Sequence, residues 1–215
     1  MSAVAVLGSG SVGSTLAAGL ARAGHTVLIG SGDPGRRAAD AGALTAAGVR
    51  FTGRAEAAGA ADVVFNATPG EASVELLSAL EPQLRGRVLV DVANSAVRGP
   101  EGFPVAPLYP DSSLAEEIQR VLPHTAVVKS LNTMDSAVMV DPRILSSPPT
   151  AFLAGDDARA KAAAAALLDG LGWPKEWILD LGGLYNARAL EWNYLMLGPF
   201  VRAHGFVPFS LAITH

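Results

Sequence analysis

The stretch VAVLGSGSVGSTLAAGLA at residues 4–21 decides the fold of this chain. Its first four residues are apolar and run up to a glycine, a pattern typical of a strand that is buried on both faces of a parallel sheet. The small and apolar residues at 14–23 predict a helix, which Gly24 stops. Residues 25–29 predict a second strand, and a right-handed crossover between the two strands makes them parallel.

The alternation of strands and helices continues along the chain. We predict further strands at residues 49–51, 61–67, 87–92, 125–129, 151–155 and 177–180. We predict further helices at residues 34–41, 71–84, 157–171 and 184–197, and one that opens at 112–117. Proline and glycine punctuate a connection at 98–110 and a linker at 141–149. This order predicts an α/β fold: a Rossmann-type, doubly wound, mostly parallel sheet with a small C-terminal α/β extension.

The glycines after the first strand point to a bound dinucleotide. Gly8, Gly10 and Gly13 fit the pattern G-x-G-x-x-G, and they follow a strand and open a helix within a compact strand–helix–strand unit. In this pattern the first glycine permits a tight turn, the second lets the backbone approach a pyrophosphate, and the third lets the helix and strand pack closely. The N–H groups at the start of the helix favour phosphate binding. We therefore expect residues 1–135 to form an NAD(P)-binding Rossmann domain.

The end of the second strand indicates which dinucleotide binds. Enzymes that use NAD usually carry Asp or Glu there, which binds the 2′-hydroxyl of the ribose. This chain has Ser31, followed by Arg36 and Arg37. A hydroxyl and guanidinium groups suit a 2′-phosphate, so we expect NADP, although the arginines also fit a solvated helix face. Asp33 leaves an alternative open, because it caps the helix that starts at Pro34 or binds the ribose of an NAD enzyme.

Polar residues follow three more of the predicted strands, at 66–69, 91–94 and 130–134. Ligands of open α/β sheets bind at the carboxyl ends of the strands, so we expect these loops to meet the cofactor, although the same residues are common in plain turns. The predicted cofactor contacts here are Ala67, Thr68, Pro69 and Asn94. The candidates to contact the ring of a second substrate are Asn132 and Met134.

Composition argues against several other functions. The net charge is −4 and there is no basic tract, so we expect neither nucleic acid nor an anionic membrane as a partner. The chain has no cysteine, which excludes disulfides and thiolate chemistry, and its 4 histidines lack the spacing of a zinc site, so we expect no metal. Because no long apolar run and no leader-like start are visible, we expect a cytoplasmic protein.

Three segments together resemble one known family. They are the glycine-rich start, VKSLNT at 128–133 and AGDD at 154–157, and they resemble the deazaflavin (coenzyme F420)-dependent NADP oxidoreductases nearly end to end. The reductase domain of the transmembrane iron and copper metalloreductases looks like a relative of the same fold. The resemblance implies hydride transfer between NADPH and a flavin-like ring, with no metal and no covalent step.

The resemblance also implies roles for individual residues. The residues that match the pyrophosphate loop are Ser9, Gly10, Ser11 and Val12. Ser31 and Arg36 match the ligands of the 2′-phosphate, and Met134 and Ser136 fall where the family contacts the nicotinamide. Thr68 and Pro69 match the loop after the fourth main strand. The chain departs from the family at Gly32, where an arginine is frequent and where Arg36 or Arg37 would compensate, and at Asn132, where some deazaflavin enzymes have a histidine.

Three functions stay open. The first is hydride transfer between NADPH and a flavin or deazaflavin, which predicts a flat apolar cleft beside Asn132 and Met134. The second is NADPH-dependent reduction of a small carbonyl or imine, which needs a proton donor such as Lys129, Asp135 or Tyr109. The third is a non-catalytic sensor that binds NADP. In each case we expect a homodimer, and residues 136–215 would complete the cleft and supply a dimer interface.

Overall fold

The first strand–helix–strand unit forms where the sequence predicts it. In the computed structural model, which describes residues 3–214, β1 (Ala3–Leu7) is followed by α1 (Ser11–Arg22) and β2 (Thr26–Ser31). The two strands are parallel, with Val4 level with Val27. The side chains at 4–7 are fully buried, as expected for a strand that has helices on both faces of its sheet.

The strands of the described chain form one large sheet and one small hairpin. The remaining strands are β3 (Arg50–Gly53), β4 (Val63–Asn66), β5 (Val88–Asp91), β6 (Ala96–Arg98), β7 (Pro104–Pro107), β8 (Ala126–Ser130), β9 (Ala151–Ala154) and β10 (Ile178–Asp180). The large sheet has the order β10-β9-β8-β5-β4-β1-β2-β3. All neighbours are parallel except β8 and β9, so β9 and β10 run opposite to the rest. The predicted Rossmann-type, mostly parallel sheet is confirmed.

Helices cover both faces of the sheet. They are α2 (Pro34–Asp40), α3 (Gly42–Ala46), α4 (Arg54–Ala60), α5 (Gly70–Ser78), α6 (Glu81–Leu84), α7 (Leu114–Val121), α8 (Ser136–Val140), α9 (Ala158–Gly170), α10 (Ala187–Trp192) and α11 (Leu197–His204). One buried cluster packs α1, α8 and α9 on one face, and includes Leu16, Val138 and Leu168. A second cluster packs α4, α5 and α7 on the other face, and includes Leu77 and Ile118. Burial of these two apolar layers is the main favourable contribution to folding.

The order of the strands places a crevice at one edge of the sheet. β1 lies between β2 and β4, so the chain leaves this point in opposite directions along the sheet. A crevice opens at such a switch point, outside the carboxyl ends of the strands. The loops that follow β1, β4, β5 and β8 meet at this edge.

The region at 98–110 is more ordered than the sequence indicates. We expected a connection rich in proline and glycine, whereas β6 and β7 pair as an antiparallel hairpin that spans residues 96–107. Prolines are tolerated at both ends of β7 because each strand of a two-stranded sheet has one edge without a neighbour. A residue that faces this edge needs no N–H group to pair with another strand. The linker predicted at 141–149 contains one 3-10 turn, Pro142–Ile144, and α8 before it was not predicted.

Two predicted helices are not continuous in the structure. The helix expected at 71–84 ends at Ser78, and Pro82 lies in the first turn of α6, because proline in a continuous helix would clash with the carbonyl of Ser78. Within the helix expected at 184–197, α10 covers only Ala187–Trp192. It is flanked by two 3-10 turns, Leu184–Asn186 and Asn193–Met196. Pro199 removes a hydrogen bond to this second turn, and the chain then continues as α11 to residue 204.

Two glycines allow the turn after β1 to pack against its neighbours. Gly8 has a φ of +114°, and a Cβ atom there would lie 2.3 Å from the carbonyl oxygen of Ala67. A Cβ atom at Gly13 would lie 2.0 Å from the carbonyl oxygen of Gly8. Neither backbone oxygen can move without displacing β1 or the loop after β4, so any side chain at either position forces the sheet and α1 apart.

We expect Gly13→Ala to lower the free energy of unfolding by about 1–3 kcal/mol, the range for an overpacked interior, as measured by urea denaturation. Gly35→Ala is the matched control, because its Cβ atom meets nothing within 4 Å. If the two variants unfold at the same urea concentration, the close approach of α1 to β1 does not limit the fold.

Candidate active site

A cavity of about 810 Å³ lies at the carboxyl edge of the sheet. Its floor is formed by the first turn of α1 and the loops after β4, β5 and β8, and its outer wall by α11 and the chain that follows it. The apolar residues that line it are Val12, Val92, Met134, Met139, Leu197, Phe200, Val201, Phe206, Val207, Phe209 and Leu211. This volume and this mainly apolar lining are typical of a site for a small organic ligand.

The cavity brings together many of the residues that the sequence singled out. Those that line it are Ser11, Val12, Ala67, Thr68, Pro69, Asn94, Asn132, Met134 and Ser136. Outside its lining are Gly8, Ser9, Gly10 and Gly13 in the turn after β1, and Ser31, Arg36 and Arg37 after β2. The cavity therefore contains the two candidates for a ring contact, Asn132 and Met134, while the other predicted residues lie outside it, in the turn after β1 and after β2.

The first turn of α1 is suited to an anion. Gly10 is its N-cap residue and has no side chain to accept hydrogen bonds from the N–H groups of that turn. A Cβ atom built on Gly10 meets nothing within 4 Å, so open space lies above the backbone there. Phosphate oxygens are the groups that such a helix start accommodates.

At the end of β2 the side chains have separate partners. Ser31 is buried, its Oγ accepts a hydrogen bond from the N–H of Asp33 at 3.2 Å, and it lies 3.4 Å from the Oγ of Ser9. The carboxylate of Asp33 accepts from the N–H of Arg36 at 3.1 Å, which makes it the cap of α2. Arg36 is exposed and its Nε lies 3.7 Å from Asp40. Of the two roles left open for Asp33, the structure therefore shows the helix cap.

A buried hydrogen-bonded network fixes the loop after β4. The Oγ1 of Thr68 donates to the Oδ1 of Asn66 at 2.6 Å, and the Nδ2 of Asn66 donates to Asp91 at 2.8 Å. Ser73 in α5 lies 2.8 Å from Thr68. Thr68 and Pro69 thus present a rigid surface to the cavity.

Lys129 lies in a buried cluster of charges beneath the cavity. Its Nζ lies 2.8 Å from Asp91 and 2.9 Å from Glu191, and it donates to the carbonyl oxygen of Ala93 at 2.5 Å. Burial alone would lower the pKa of Lys129, but the attraction of Asp91 and Glu191 raises it. Glu191 also accepts from the N–H of Leu114 at 2.7 Å, at the start of α7. Lys129 does not line the cavity, so its charge holds β5, β8, α7 and α10 together.

Two polar atoms in the cavity lining have no protein partner. Asn132 and Asn94 exchange hydrogen bonds, and the Nδ2 of Asn132 also donates to the carbonyl oxygen of Leu190 at 3.1 Å. The Oδ1 of Asn132 and the Oγ1 of Thr133 are buried and unpartnered. The preceding Leu131 has a φ of 59°, a strained conformation for a branched residue that costs about 1–3 kcal/mol. Such strain and such unsatisfied atoms are typical of a ligand site.

The titratable side chains around the cavity mostly have structural roles. Asp135 caps α8 by accepting from the N–H of Ala137 at 2.9 Å. Tyr109 is outside the lining, and burial and the nearby Glu117 and Glu191 raise its pKa. Of the three proton donors that the sequence left open, Asp135 lines the cavity, and Lys129 and Tyr109 do not. No group of His, Asp or Glu residues within 3–214 has the arrangement of a metal site.

Sequence reasoning missed Tyr194, whose side chain lines the cavity. Its hydroxyl lies 3.5 Å from the Nη2 of Arg98, which is also paired with Glu71 at 3.5 Å. These residues come from α5, β6 and the turn before α11, so no local pattern indicates that they meet. The aromatic residues around 185–194, in the segment predicted as a helix, were the available signal.

The chain after α11 closes the outer wall of the cavity. The N–H of Asp135 donates to the carbonyl oxygen of Phe209 at 2.9 Å, and the N–H of Leu211 donates to that of Thr133 at 3.1 Å. The rings of Phe209 and Phe200 lie 4.8 Å apart. Two aromatic rings therefore line the same cavity as Asn132 and Met134.

Comparison with known proteins identifies related chains. A family model described as NADP oxidoreductase, coenzyme F420-dependent, matches residues 3–95. The F420-dependent NADP reductase of Methanothermobacter marburgensis is 29% identical over 201 residues, which cover 87% of each protein. The rat Metalloreductase STEAP3 is 31% identical over 197 residues, and the chain spans 37% of the length of that protein.

Solved structures agree with these relatives. A protein from Arthrobacter sp. FB24, described as a candidate F420-dependent NADP-reductase, is 36% identical, with a TM-score of 0.89 and full coverage of both chains. An imine reductase from Streptomyces aurantiacus has a TM-score of 0.64 at 20% identity and covers 94% of this chain and 62% of its own, which shows a shared fold. Among the described residues, no helix combines the length and the apolar character needed to cross a membrane.

Removing the charge of Lys129 should destabilise the protein strongly. We expect Lys129→Met to lower the free energy of unfolding by about 3–5 kcal/mol in urea at neutral pH, because it leaves buried carboxylates without a cation. The raised pKa of Lys129 means that its contribution is complete below the ordinary pKa of lysine and is lost only as the pH rises through the folded value. Lys161→Met is the control, since Lys161 pairs with a half-exposed Asp180, and such pairs contribute about 0–1 kcal/mol. Equal losses in the two variants would contradict a stabilising role for the cluster.

Proposed function

The chain belongs to the family of coenzyme F420-dependent NADP oxidoreductases, and from that premise we propose that it transfers a hydride between NADPH and a flavin or deazaflavin ring. It is an NAD(P)-dependent oxidoreductase by membership of this family. The observation that supports the ring as the second substrate is the apolar cavity beside Asn132 and Met134, with the paired rings of Phe200 and Phe209 in its wall.

The residues around the crevice fit an extended NADPH. The first turn of α1, with open space above Gly10, would hold the pyrophosphate. Ser31 would meet the adenosine ribose at the end of β2. At the other end, the unpartnered Asn132 Oδ1 and Thr133 Oγ1 are suited to the carboxamide of the nicotinamide, with Met134 and Ser136 beside the ring. The family model ends at residue 95, so the contacts after that position are our own assignment.

Hydride transfer between two rings requires mainly positioning and the exclusion of water. The bound NADPH supplies the hydride, which is two electrons and a proton, and becomes NADP⁺. The reduced acceptor takes any further proton from solvent. Within this scheme the loop after β4 orients one ring from below, and α11 with residues 206–211 shields the other from water. No side chain is needed as a nucleophile.

A second function, reduction of a small carbonyl or imine, has one observation in its favour. The hydroxyl of Tyr194 lines the cavity beside Arg98, and such a reduction needs a proton donor near the nicotinamide. Lys129, Asp135 and Tyr109 are each engaged or placed elsewhere. A sensor that binds NADP without turnover stays open as the third alternative, and it would be recognised by cofactor binding without oxidation by any acceptor.

We also propose that the protein is a cytoplasmic homodimer. Large apolar side chains are exposed on the C-terminal wall, with Phe206 at 87% and Met196 at 59% exposure. Surfaces of this kind mark association sites in many proteins. Light scattering of the purified protein tests the dimer.

The division of the chain at residue 135 also stays a prediction, since β9 and β10 after it extend the sheet formed by the strands before it.

The direct test follows the absorbance of reduced nicotinamide while the purified protein is mixed with NADPH and then with coenzyme F420 or FMN. We expect NADPH to be oxidised on addition of a ring acceptor. Gly10→Ala should fold normally, because its φ of −79° suits alanine, but should weaken NADPH binding about tenfold or more by occupying the pyrophosphate space. Binding of NADPH without oxidation by either ring would refute the proposal, and a panel of cyclic imines and carbonyls would follow.

The variant Tyr194→Phe distinguishes hydride transfer to a ring acceptor from reduction of a carbonyl or imine. For transfer to a flavin or deazaflavin we expect the turnover number to change by less than about threefold, because no proton is donated by the protein. A general acid contributes roughly 10²–10⁴-fold, so a loss of that size would favour the second function. Tyr185→Phe is the control, since Tyr185 is exposed and outside the cavity lining.

A further inference from the structure

The guanidinium group of Arg54 lies over the backbone of Gly32. A Cβ atom built on Gly32 would lie 3.1 Å from the Nη2 and 3.2 Å from the Nη1 of Arg54. The space that a side chain at position 32 would take is thus filled by a cation from a different part of the chain.

The sheet register explains why these two residues meet. β2 and β3 are parallel, and Ser31 at the end of β2 is level with Gly53 at the end of β3. The residues that follow them, Gly32 and Arg54, therefore emerge side by side at the carboxyl edge. The Cα atom of Arg54 also lies close to Gly30, at 3.1 Å from a Cβ atom built there, so the backbone of Arg54 is held against β2.

The side chain of Arg54 is exposed and has no hydrogen bond or ion pair with any residue in the described part of the chain. Its neighbours differ in this respect. Arg36 lies 3.7 Å from Asp40, and Arg50 lies 3.7 Å from Glu56. The carboxylate closest along the chain to Gly32 is that of Asp33, which is engaged by the N–H of Arg36. An unpaired cation thus lies over Gly32, the residue that follows the buried Ser31.

We infer that Arg54 binds the 2′-phosphate of NADPH and determines the preference of this protein for NADPH over NADH. The planar guanidinium binds phosphate oxygens through two parallel hydrogen bonds, and Ser31 adds a hydroxyl donor at the same point. The lack of a side chain at Gly32 lets the guanidinium take this place, since a Cβ atom there would lie in tight contact with it. This role rests on the nicotinamide cofactor of the proposed function and is independent of the ring that accepts the hydride.

The test measures binding by calorimetry, without turnover, for NADPH, NADH and 2′,5′-ADP, a fragment that carries the 2′-phosphate but no nicotinamide. We expect Arg54→Ala to raise the Kd of NADPH and of 2′,5′-ADP about tenfold or more and to change that of NADH by less than about twofold. Arg50→Ala is the matched control, because Arg50 begins the strand β3 that Arg54 follows and is level with Leu28, at the far end of that strand. It should leave all three constants unchanged.

A second variant distinguishes loss of the contact between Arg54 and the 2′-phosphate from general damage to the protein. In Arg54→Ala the space over Gly32 is empty, so adding Gly32→Arg should return an arginine to the same point and restore at least part of the NADPH preference. Equal weakening of NADPH and NADH by Arg54→Ala would overturn the inference, because the arginine would then contact only the shared part of the two cofactors. No change in either would overturn it as well. Failure of every ring acceptor to oxidise NADPH would refute the proposed function and leave this binding result intact.

Discussion

The site depends on a buried ammonium group held by two carboxylates that come from different parts of the chain. Lys129 on β8 contacts Asp91 on β5 and Glu191 on α10, and Glu191 in turn binds the start of α7. The hydrogen bonds of Asp91 continue through Asn66 to Thr68, at the surface of the cavity. Because burying any one of these charges without its partners is costly, the loops of the sheet and the C-terminal helices keep one relative position. The geometry of the cavity follows from that position.

Local patterns were sufficient for the glycine turn and most of the sheet. The order strand, glycine turn, helix already indicates that Gly8 and Gly13 must lack a side chain. The apolar runs predicted the strands of the parallel sheet. Prolines misled the prediction in both directions, because Pro82 interrupts the helix predicted at 71–84, while Pro104 and Pro107 lie in a hairpin.

The remainder depends on contacts between residues far apart in the chain. Lys129 was a candidate proton donor by sequence, and only the positions of Asp91 and Glu191 show that it is enclosed. Tyr194 and Arg54 reach the site through the packing of α11 and through the register of β3 on β2, which no local pattern encodes. The loops at the carboxyl ends of the strands were predictable as a group, because parallel strands bring those ends together.

The outer wall is joined to the rest of the chain mainly by backbone hydrogen bonds. Residues 209–213 bond to the backbone at 133–135 and to Thr150, and these contacts hardly depend on which side chains the segment carries. Phe209 and Leu211 nevertheless face the cavity. The segment is therefore a natural place for loop grafting: a library of exchanged tails would diversify the outer wall of the cavity, and the sheet would serve as a constant scaffold.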